Sequence, residues 1–485
     1  MGDQSQIKDK DLEQISLEEE AFRNTIGTMD KKGKRQWVFP KKPSGRFTTY
    51  RMYVSWILLA ILVLSPFIKL PNGNPLFLFN IPKGQFIIFG FPFFTSDFFL
   101  LAIGMITSIV SIVLFTVVYG RIFCGWICPQ TIFMENVFRR IEFWIDGDRP
   151  KQIKLAKQAW DEEKIRKRLL KWSLFLLVSF LVANIFLAYI IGSDELLKLI
   201  QDGPGQHLST FFWLLAFTGI FYFVFSWFRE QACTLVCPYG RLQGVLIDKK
   251  TIIVAYDFKR GERSAGRAKF KKGEDRIAEG KGDCIDCKQC VVVCPTGIDI
   301  RNGTQLECVN CTACIDACDE VMDKINLPRG LIRYASEEEI ETGAKFKITG
   351  RMIAYTIALI GMIAAINIFL FSRNDVEVKF LHVPGRNYKI EGTNISNLYQ
   401  FTLYNKTNED LKVHFGIKSH DSGKVRVLDG TTPMFLERGK VAQGSVMVTI
   451  PLEDIKTYKE RVVFIAVDEN GKELDDYTTS FSAPH

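Results

Sequence analysis

Histidine is scarce in this chain of 485 residues, which contains five, and none of them lies within a long apolar run. Haem held between membrane helices by paired histidines is therefore not expected. The sequence also lacks a CxxCH motif and a GxGxxG motif at the start of a helix, which excludes covalently attached haem and argues against a nicotinamide or flavin cofactor on a dinucleotide fold. His207 and His382 could hold a metal outside the membrane, but lone surface histidines usually hold none.

Cysteine is absent before Cys124 and after Cys318, although the chain contains twelve. The C-terminal region therefore has no disulfide framework, and the clustered CxxC spacings favour metal ligation in a reducing compartment. No apolar segment follows Met1 closely, so we expect no cleavable signal peptide. The net charge is +8, but the basic residues crowd beside apolar runs. This pattern indicates a membrane surface rather than a nucleic-acid partner.

Five apolar runs are long enough to cross a bilayer as helices, namely residues 53–70, 98–119, 172–191, 210–228 and 352–371. The stretch 71–97 is also apolar, but Pro, Asn and Gly interrupt it, which argues against a sixth span. The arm 1–50 and the loops 121–171 and 229–351 are basic, whereas the other two connections hold only Lys83 and Lys198. The positive-inside rule therefore predicts that the arm and both basic loops are cytoplasmic and that the C-terminal tail is periplasmic.

Two copies of a bacterial ferredoxin motif occupy the loop 229–351. The first is Cys284-x-x-Cys287-x-x-Cys290-x-x-x-Cys294-Pro295, and the second is Cys308-x-x-Cys311-x-x-Cys314-x-x-x-Cys318. The first three thiolates of each run hold one [4Fe-4S] cluster, and the fourth ligates the other cluster. One cluster is therefore assigned to Cys284, Cys287, Cys290 and Cys318, and the other to Cys308, Cys311, Cys314 and Cys294. A pair of zinc sites is the alternative, but zinc modules usually space four thiols more widely.

Two further cysteine pairs follow the second and fourth spans with one spacing, Cys124-Gly-Trp-Ile-Cys128-Pro129 and Cys233-Thr-Leu-Val-Cys237-Pro238. Equal offsets from two spans of the same direction can bring the four thiols to one depth at the cytoplasmic surface. Because proline favours the first helical position, each pair should end at the N-cap of a new helix.

The helix starts should stabilise the thiolates of Cys128 and Cys237 and lower the pKa of Cys128, with help from Arg121, Arg229 and Arg241. Soft thiolates suit Cu(I), zinc or an iron-sulfur cluster. A copper site and a third cluster are therefore both open, and inert membrane cysteines are the remaining alternative.

The tail after the fifth span alternates apolar and polar residues in short runs, separated by turn residues such as Asn405, Asp429-Gly430 and Asn470-Gly471. About seven such runs over roughly 110 residues predict a β-sandwich. The predicted organisation is a polar arm (1–50), a membrane region with four spans (51–228), a cytoplasmic ferredoxin-like domain (229–350), a fifth span (351–372) and a periplasmic β domain (373–485).

This combination of spans, cysteine motifs and a C-terminal β domain resembles the CcoG/RdxA/FixG family of cytochrome oxidase accessory proteins. The resemblance rests on the five spans, the segments CGWICP and CTLVCP, the runs CIDCKQCVVVCPTGIDIRNG and CVNCTACIDACDEVMDK, and the outer β domain. Related polyferredoxins share the cysteine motifs but not the appended β-sandwich. Asp319 stands where generic ferredoxins have a second proline, and aspartate there is usual in the family.

The resemblance implies a cupric reductase that supplies Cu(I) for assembly of a cbb-type haem-copper oxidase in the bacterial cytoplasmic membrane. The eight ferredoxin cysteines would relay electrons, the tail would be an immunoglobulin-like domain, and the catalytic copper site would consist of Cys124, Cys128, Cys233 and Cys237. The expected partners are a cytoplasmic electron donor, a copper carrier or oxidase assembly factors, and the lipid bilayer, and a homo-oligomer is open.

Two other functions compete with this one. The first is an electron-transfer subunit that moves electrons between quinol and a partner complex. The second is a non-enzymatic copper carrier or assembly scaffold in which the clusters are structural.

Overall fold

The computed structural model describes residues 35–484, except for residues 72, 83, 95–96, 344–347, 349, 373–375, 384–387, 408, 421 and 429–432. Most of the predicted polar arm, the predicted turn at Asp429-Gly430, and His485 therefore lie outside the described residues. The described chain divides into two compact units. Unit 1 comprises the residues up to Val63 together with Ile106–Asn184 and Pro204–Gly361, and unit 2 comprises Leu64–Met105, Ile185–Gly203 and the residues from Met362 onward.

The α-helices of the described residues are α1 (Arg46–Leu64), α2 (Phe98–Tyr119), α3 (Ile122–Trp126), α4 (Pro129–Ile132), α5 (Arg139–Ile145), α6 (Arg149–Lys157), α7 (Glu162–Ile191), α8 (Ser193–Asp202), α9 (Leu208–Phe223), α10 (Pro238–Leu246), α11 (Phe258–Glu262), α12 (Gln289–Val292), α13 (Ala313–Lys324), α14 (Glu337–Thr342) and α15 (Gly350–Phe371). Short π-helical segments lie at Phe133–Phe138, Val224–Phe228 and Ala232–Val236, and 3-10 turns lie at Ile300–Asn302 and Leu452–Asp454.

Five of these helices are long and apolar enough to cross a membrane: α1, α2, α7, α9 with its π-helical continuation, and α15. This confirms the prediction of a multi-pass membrane protein. The first span was predicted at residues 53–70, whereas α1 is Arg46–Leu64. The helix ends early because Pro66 disfavours a helical conformation at Ser65. It begins early because the Asp316 carboxylate accepts hydrogen bonds from the backbone N–H groups of Phe47 (3.0 Å) and Thr48 (2.7 Å).

The apolar stretch between the first two spans folds as a small antiparallel sheet rather than remaining without regular structure. Its strands are β1 (Phe77–Asn80), β2 (Gln85–Ile88) and β3 (Phe91–Phe94), and Phe79, Phe86 and Phe93 are register partners across the three strands. No membrane-length helix lies here, as predicted, but the strands were not predicted.

The C-terminal region is a β-sandwich, as predicted. Its strands are β6 (Val376–His382), β7 (Lys389–Glu391), β8 (Asn394–Asn405), β9 (Leu411–Ile417), β10 (Lys424–Val427), β11 (Met434–Leu436), β12 (Val441–Pro451), β13 (Lys459–Val467) and β14 (Glu473–Ser482). One sheet has the order β10-β12-β8-β6 with β7 paired to β8, and the other has the order β11-β9-β13-β14. The two strands beyond the predicted seven, β7 and β11, are three residues long. The aromatic rings of Phe380 and Phe464, from opposite sheets, lie 4.5 Å apart in the core.

A two-stranded antiparallel sheet brackets the ferredoxin motifs in unit 1. Its strands, β4 (Ile253–Tyr256) and β5 (Ile332–Ala335), come from the two ends of the cysteine-rich segment. Val254, Tyr256 and Ile332 from this sheet join Ile298, Ile315 and Met322 in one buried cluster that also contains Cys284 and Cys290. The sheet therefore closes the segment into a compact domain with its cysteines against an apolar core.

Candidate metal centres

The two ferredoxin loops share one unusual backbone pattern. Asp286 and Lys288 in the first loop have φ values of 52° and 57°, and Asn310 and Thr312 in the second have 52° and 64°. These residues stand two and four positions after the first cysteine of each run. Left-handed residues alternating with right-handed ones aim consecutive backbone N–H groups inward, a concave arrangement that many iron-sulfur sites use to bind a negatively charged group. Four strained non-glycine residues at equivalent positions mark these loops as functional.

The cysteines of the two loops line two cavities. One cavity is lined by Cys284, Cys287, Cys290 and Cys318. The other is lined by Cys294, Cys308, Cys311 and Cys314, and also by Cys290. We call these groups the first set (Cys284, Cys287, Cys290 and Cys318) and the second set (Cys308, Cys311, Cys314 and Cys294). They are the sets that the crossed ligand pattern of the sequence assigns to the two clusters.

The donor arrangement of each set fits a cluster. Four thiols are spread around each cavity, and a four-iron cube needs its thiolates distributed in this way.

Burial raises the pKa of the Cys290 and Cys308 thiols to about 12 and also raises the pKa of Cys314 and Cys318. These cysteines would carry protons at neutral pH without a metal, and metal binding would release them. Cys287 differs from its neighbours because it is exposed.

The membrane-edge cysteines come together in unit 1. Cys233 lies within electrostatic range of Cys124, Cys128 and Cys237, and Cys128 lies within range of Cys237. We call these four residues the membrane-edge thiols. Cys128 and Cys237 occupy the N-cap positions of α4 and α10, with Pro129 and Pro238 at the first helical positions. The predicted helix starts are therefore present.

The predicted lowering of the Cys128 pKa is wrong. Burial raises the pKa of Cys128, although backbone N–H groups of Gln130 and Thr131 oppose that effect. Burial likewise raises the pKa of Cys124 to about 11 and that of Cys233 to about 12. Removing a thiolate from water costs more free energy than a short helix start returns.

Two of the three arginines expected beside these thiols, Arg229 and Arg121, have other hydrogen-bond partners. Arg229 binds Glu142 through two hydrogen bonds, of 2.5 Å and 3.1 Å. Arg121 donates to the carbonyl oxygens of Leu306, Cys308 (3.3 Å) and Gly240 (3.1 Å). The backbone N–H of Arg241 donates to the Cys237 carbonyl. Of the three, Arg121 also lies within electrostatic range of a membrane-edge thiol, Cys124.

A buried network of charged residues next to the thiols is not apparent from the sequence. Arg139 binds Glu135 (2.7 Å) and approaches Glu230 (3.7 Å), and Glu142 approaches Lys171 (3.6 Å) as well as Arg229. Glu135 and Glu230 line a cavity of about 360 Å³ with Met134 and Cys233. The sequence does show acidic residues soon after the first CxxxCP pair and directly after the fourth span. Only the folded structure shows which cations they contact.

The membrane-edge thiols adjoin the second set. Cys124 packs against a buried cluster formed by Val293, Val309, Cys311 and Ala313, which Cys314 also contacts. The amide of Gln243 donates to Cys124 Sγ at 3.3 Å and holds that thiol in place. Arg121 interacts electrostatically with both Cys124 and Cys308. The residues that surround the second set therefore also contact Cys124.

The histidines lie elsewhere. His207 is the N-cap residue of α9, and the His382 ring packs edge-on against Tyr399 with 5.2 Å between ring centroids. Neither belongs to a group of three metal-ligating side chains among the described residues.

Comparisons with known proteins agree with this geometry. Residues 228–337 match the model of a 4Fe-4S dicluster domain, residues 101–152 match that of a 4Fe-4S binding domain, and residues 366–484 match the Ig-like fold at the C-terminus of FixG. The structure of a FixG-related protein from Vibrio parahaemolyticus is 14% identical in sequence and has a TM-score of 0.20. The alignment covers 23% of this chain and 97% of the Vibrio chain. A TM-score this low adds nothing to the assignment.

Three relatives match most of the chain. RdxB of Cereibacter sphaeroides is 34% identical over 449 residues, covering 89% of each protein. RdxA of the same organism is 35% identical over 401 residues, covering 78% of this chain and 82% of the relative. The nitrogen fixation protein FixG of Rhizobium meliloti is 29% identical over 496 residues, covering 93% of each. With its five spans, two cysteine sets and β-sandwich, the chain belongs to the FixG/RdxA family of iron-sulfur electron-transfer membrane proteins.

Proposed function

We propose that this protein reduces Cu(II) to Cu(I) at the membrane-edge thiols for the assembly of a cbb-type haem-copper oxidase. The observation that carries the proposal is the shared packing of Cys124 with Cys311 and Cys314. A metal held by Cys124 would lie next to the second set, beside the apolar cluster that Cys124 and Cys314 both contact. The choice of the oxidase as the recipient rests on the family resemblance.

The reaction needs one electron for each copper ion. A low-potential one-electron donor in the cytoplasm would supply it, so that the donor is oxidised as Cu(II) becomes Cu(I). When bound, the two clusters would accept and pass single electrons. Cys124 and Cys233 would release their protons as copper binds, because both are protonated at neutral pH. Thiolate ligation stabilises Cu(I) relative to Cu(II) and so favours reduction.

The location follows from the same proposal. The arm, both cysteine sets and the membrane-edge thiols would face the bacterial cytoplasm, and the Ig-like domain would face the periplasm. This orientation is supported by the basic loops on one side of the spans. The periplasmic domain would then offer a surface to a copper carrier or to oxidase assembly factors.

The decisive comparison is between two variants of one loop. Cys233→Ala with Cys237→Ala should abolish Cu(II) reduction by the reduced, iron-loaded protein, measured with a Cu(I)-specific chelator. Thr234→Ala changes the same loop without removing a thiol and should retain the activity. Undiminished reduction in the double cysteine variant would refute copper chemistry at these thiols.

A third cluster at the membrane-edge thiols is the competing assignment, because a 4Fe-4S family model covers Cys124 and Cys128. Two clusters give about eight irons per chain and three give about twelve. Iron analysis of the intact protein and of the double cysteine variant separates the assignments. A loss of about four irons in the variant would favour the third cluster.

A further inference from the structure

The two cysteine sets lie in different electrostatic surroundings. Around the first set, Arg301 lines the cavity and binds two carboxylates, Asp299 (2.6 Å) and Asp286 (2.5 Å). A third carboxylate, Asp319, interacts with Cys318 and accepts a hydrogen bond from Gly330 N–H at 2.9 Å. Arg276 donates to the Cys284 carbonyl at 3.4 Å and pairs with Glu274, and Lys288, which is exposed to solvent, also lines the cavity. Four carboxylates thus stand against three cations among these groups.

Three buried arginines lie around the second set. Arg51 is 7% exposed, donates to the Cys311 carbonyl at 2.8 Å and interacts electrostatically with that cysteine. Arg121 donates to the Cys308 carbonyl, and Arg139 donates to the Pro295 carbonyl at 3.2 Å.

Three carboxylates face these three arginines. Glu135 lies within range of Cys311 but is bound by Arg139 at 2.7 Å and approached by Arg51 at 4.0 Å. Glu307 interacts with Arg121, and Glu230 approaches Arg139 at 3.7 Å but also pairs with Arg35 and Arg229. None of the described ion pairs brings a carboxylate closer than 4.0 Å to Arg51 or Arg121, so the positive charge beside the second set is less compensated than that of Arg301 beside the first set.

We propose that these charges give the clusters bound by the two cysteine sets different reduction potentials. The cluster of the second set, beside the membrane-edge thiols, has the higher potential. Reduction adds negative charge, which nearby cations stabilise and nearby carboxylates oppose. Arg51 and Asp286 are thus positioning residues for the direction of electron flow. The proposal does not depend on copper being the final acceptor.

The exposure of the thiols fits this direction. Cys287 of the first set is the exposed cysteine among the eight, so that an external donor would approach the first set. The second set instead adjoins Cys124 through the shared apolar cluster. An electron that enters beside Cys287 would move toward the more positive surroundings and arrive next to the membrane-edge thiols.

The test is a potentiometric titration of the iron-loaded protein, followed by electron paramagnetic resonance. The wild-type protein should show two separate midpoint potentials. Arg51→Gln should lower the higher midpoint, and Asp286→Asn should raise the lower one, so that each variant narrows the gap. Lys249→Gln removes an exposed cation on the surface and should leave both midpoints unchanged.

Controls separate charge from folding. Arg51→Lys keeps the charge without the planar guanidinium and should restore most of the wild-type gap if its iron content is normal. If Arg51→Gln fails to bind iron, Asp286→Asn still tests the proposal, because its side chain is 39% exposed and the substitution preserves its shape. The proposal is overturned if both variants move the same midpoint, or if Asp286→Asn leaves the lower midpoint unchanged. Because the readout is a potential and not copper reduction, failure here would not bear on the proposed function.

Discussion

The ion pair between Arg229 and Glu142 should hold the two membrane-edge cysteine pairs together. Glu142 lies on the helix that follows Cys128, and Arg229 ends the span that precedes Cys233. Both side chains are 7% exposed, and Lys171 approaches the same carboxylate at 3.6 Å. Glu142→Gln would leave buried Arg229 with only the more distant Glu230 carboxylate, at 3.8 Å, while Lys171 keeps its ion pair with Asp146 at 2.7 Å. We therefore expect both lower stability and lower copper reduction in this variant.

The expected destabilisation is about 3 kcal/mol, the lower end of the usual effect of removing one partner from a buried ion pair, because Glu230 still approaches Arg229. This corresponds to a change of more than ~100-fold in the unfolding equilibrium of unit 1. Burial raises the pKa of Glu142, but Arg229, Lys171 and Arg139 outweigh that effect and lower it. The stabilisation is thus fully present above the ordinary carboxyl pKa of about 4.3 and is lost as the pH falls through the lowered pKa. Measurements between pH 6 and pH 8 should show no pH dependence from this pair.

The assay is urea unfolding of the detergent-solubilised protein, followed by tryptophan fluorescence. Glu163→Gln is the matched control, because Glu163 forms an exposed pair with Lys167 and such pairs contribute less than about 1 kcal/mol. Glu142→Leu combined with Arg229→Met should recover part of the loss, since no buried charge then remains unpaired. A free energy of unfolding of Glu142→Gln within ~0.5 kcal/mol of the wild type, or a double variant that shows the full sum of the two single losses, would refute a stabilising role of this ion pair.

Three further predictions concern copper, the first span and the orientation. Copper affinity should fall by at least about 100-fold for each pH unit between pH 8 and pH 6, because copper must displace protons from Cys124 (pKa about 11), from Cys233 (pKa about 12) and from any further thiol that binds it; competition titrations at three pH values measure this slope, and a flat profile would contradict it. Asp316→Ala should destabilise the protein by about 1 to 2 kcal/mol, because the carboxylate caps the start of α1; hydrogen exchange at Thr48 should rise, and unchanged exchange would rule the cap out. Alkaline phosphatase fused to the C-terminus should be active in intact bacteria, and an inactive fusion with normal expression would reverse the proposed orientation.

The local features of the chain were predictable from the sequence. Hydrophobic runs of membrane length identified the five spans, and alternation with a period of two identified the β-sandwich, since both patterns depend on residues close in the chain. The boundary of the first span was wrong because its start depends on Asp316, which is 268 residues from Thr48. The strands β1–β3 were missed because consecutive residues in them are apolar, so that they show no alternation with a period of two.

The sequence by itself determined the chemistry of the donors: eight cysteines with ferredoxin spacing and two CxxxCP pairs. This was possible because cysteine ligation depends on short spacings along one loop. Only the tertiary structure decided the surroundings of those thiols, namely the packing of Cys124 against the second set, the burial that raises the pKa of Cys128, and the arginines and carboxylates that surround each set. Burial and charge at a site are sums over residues distant in sequence, and no local pattern records which of those residues will meet.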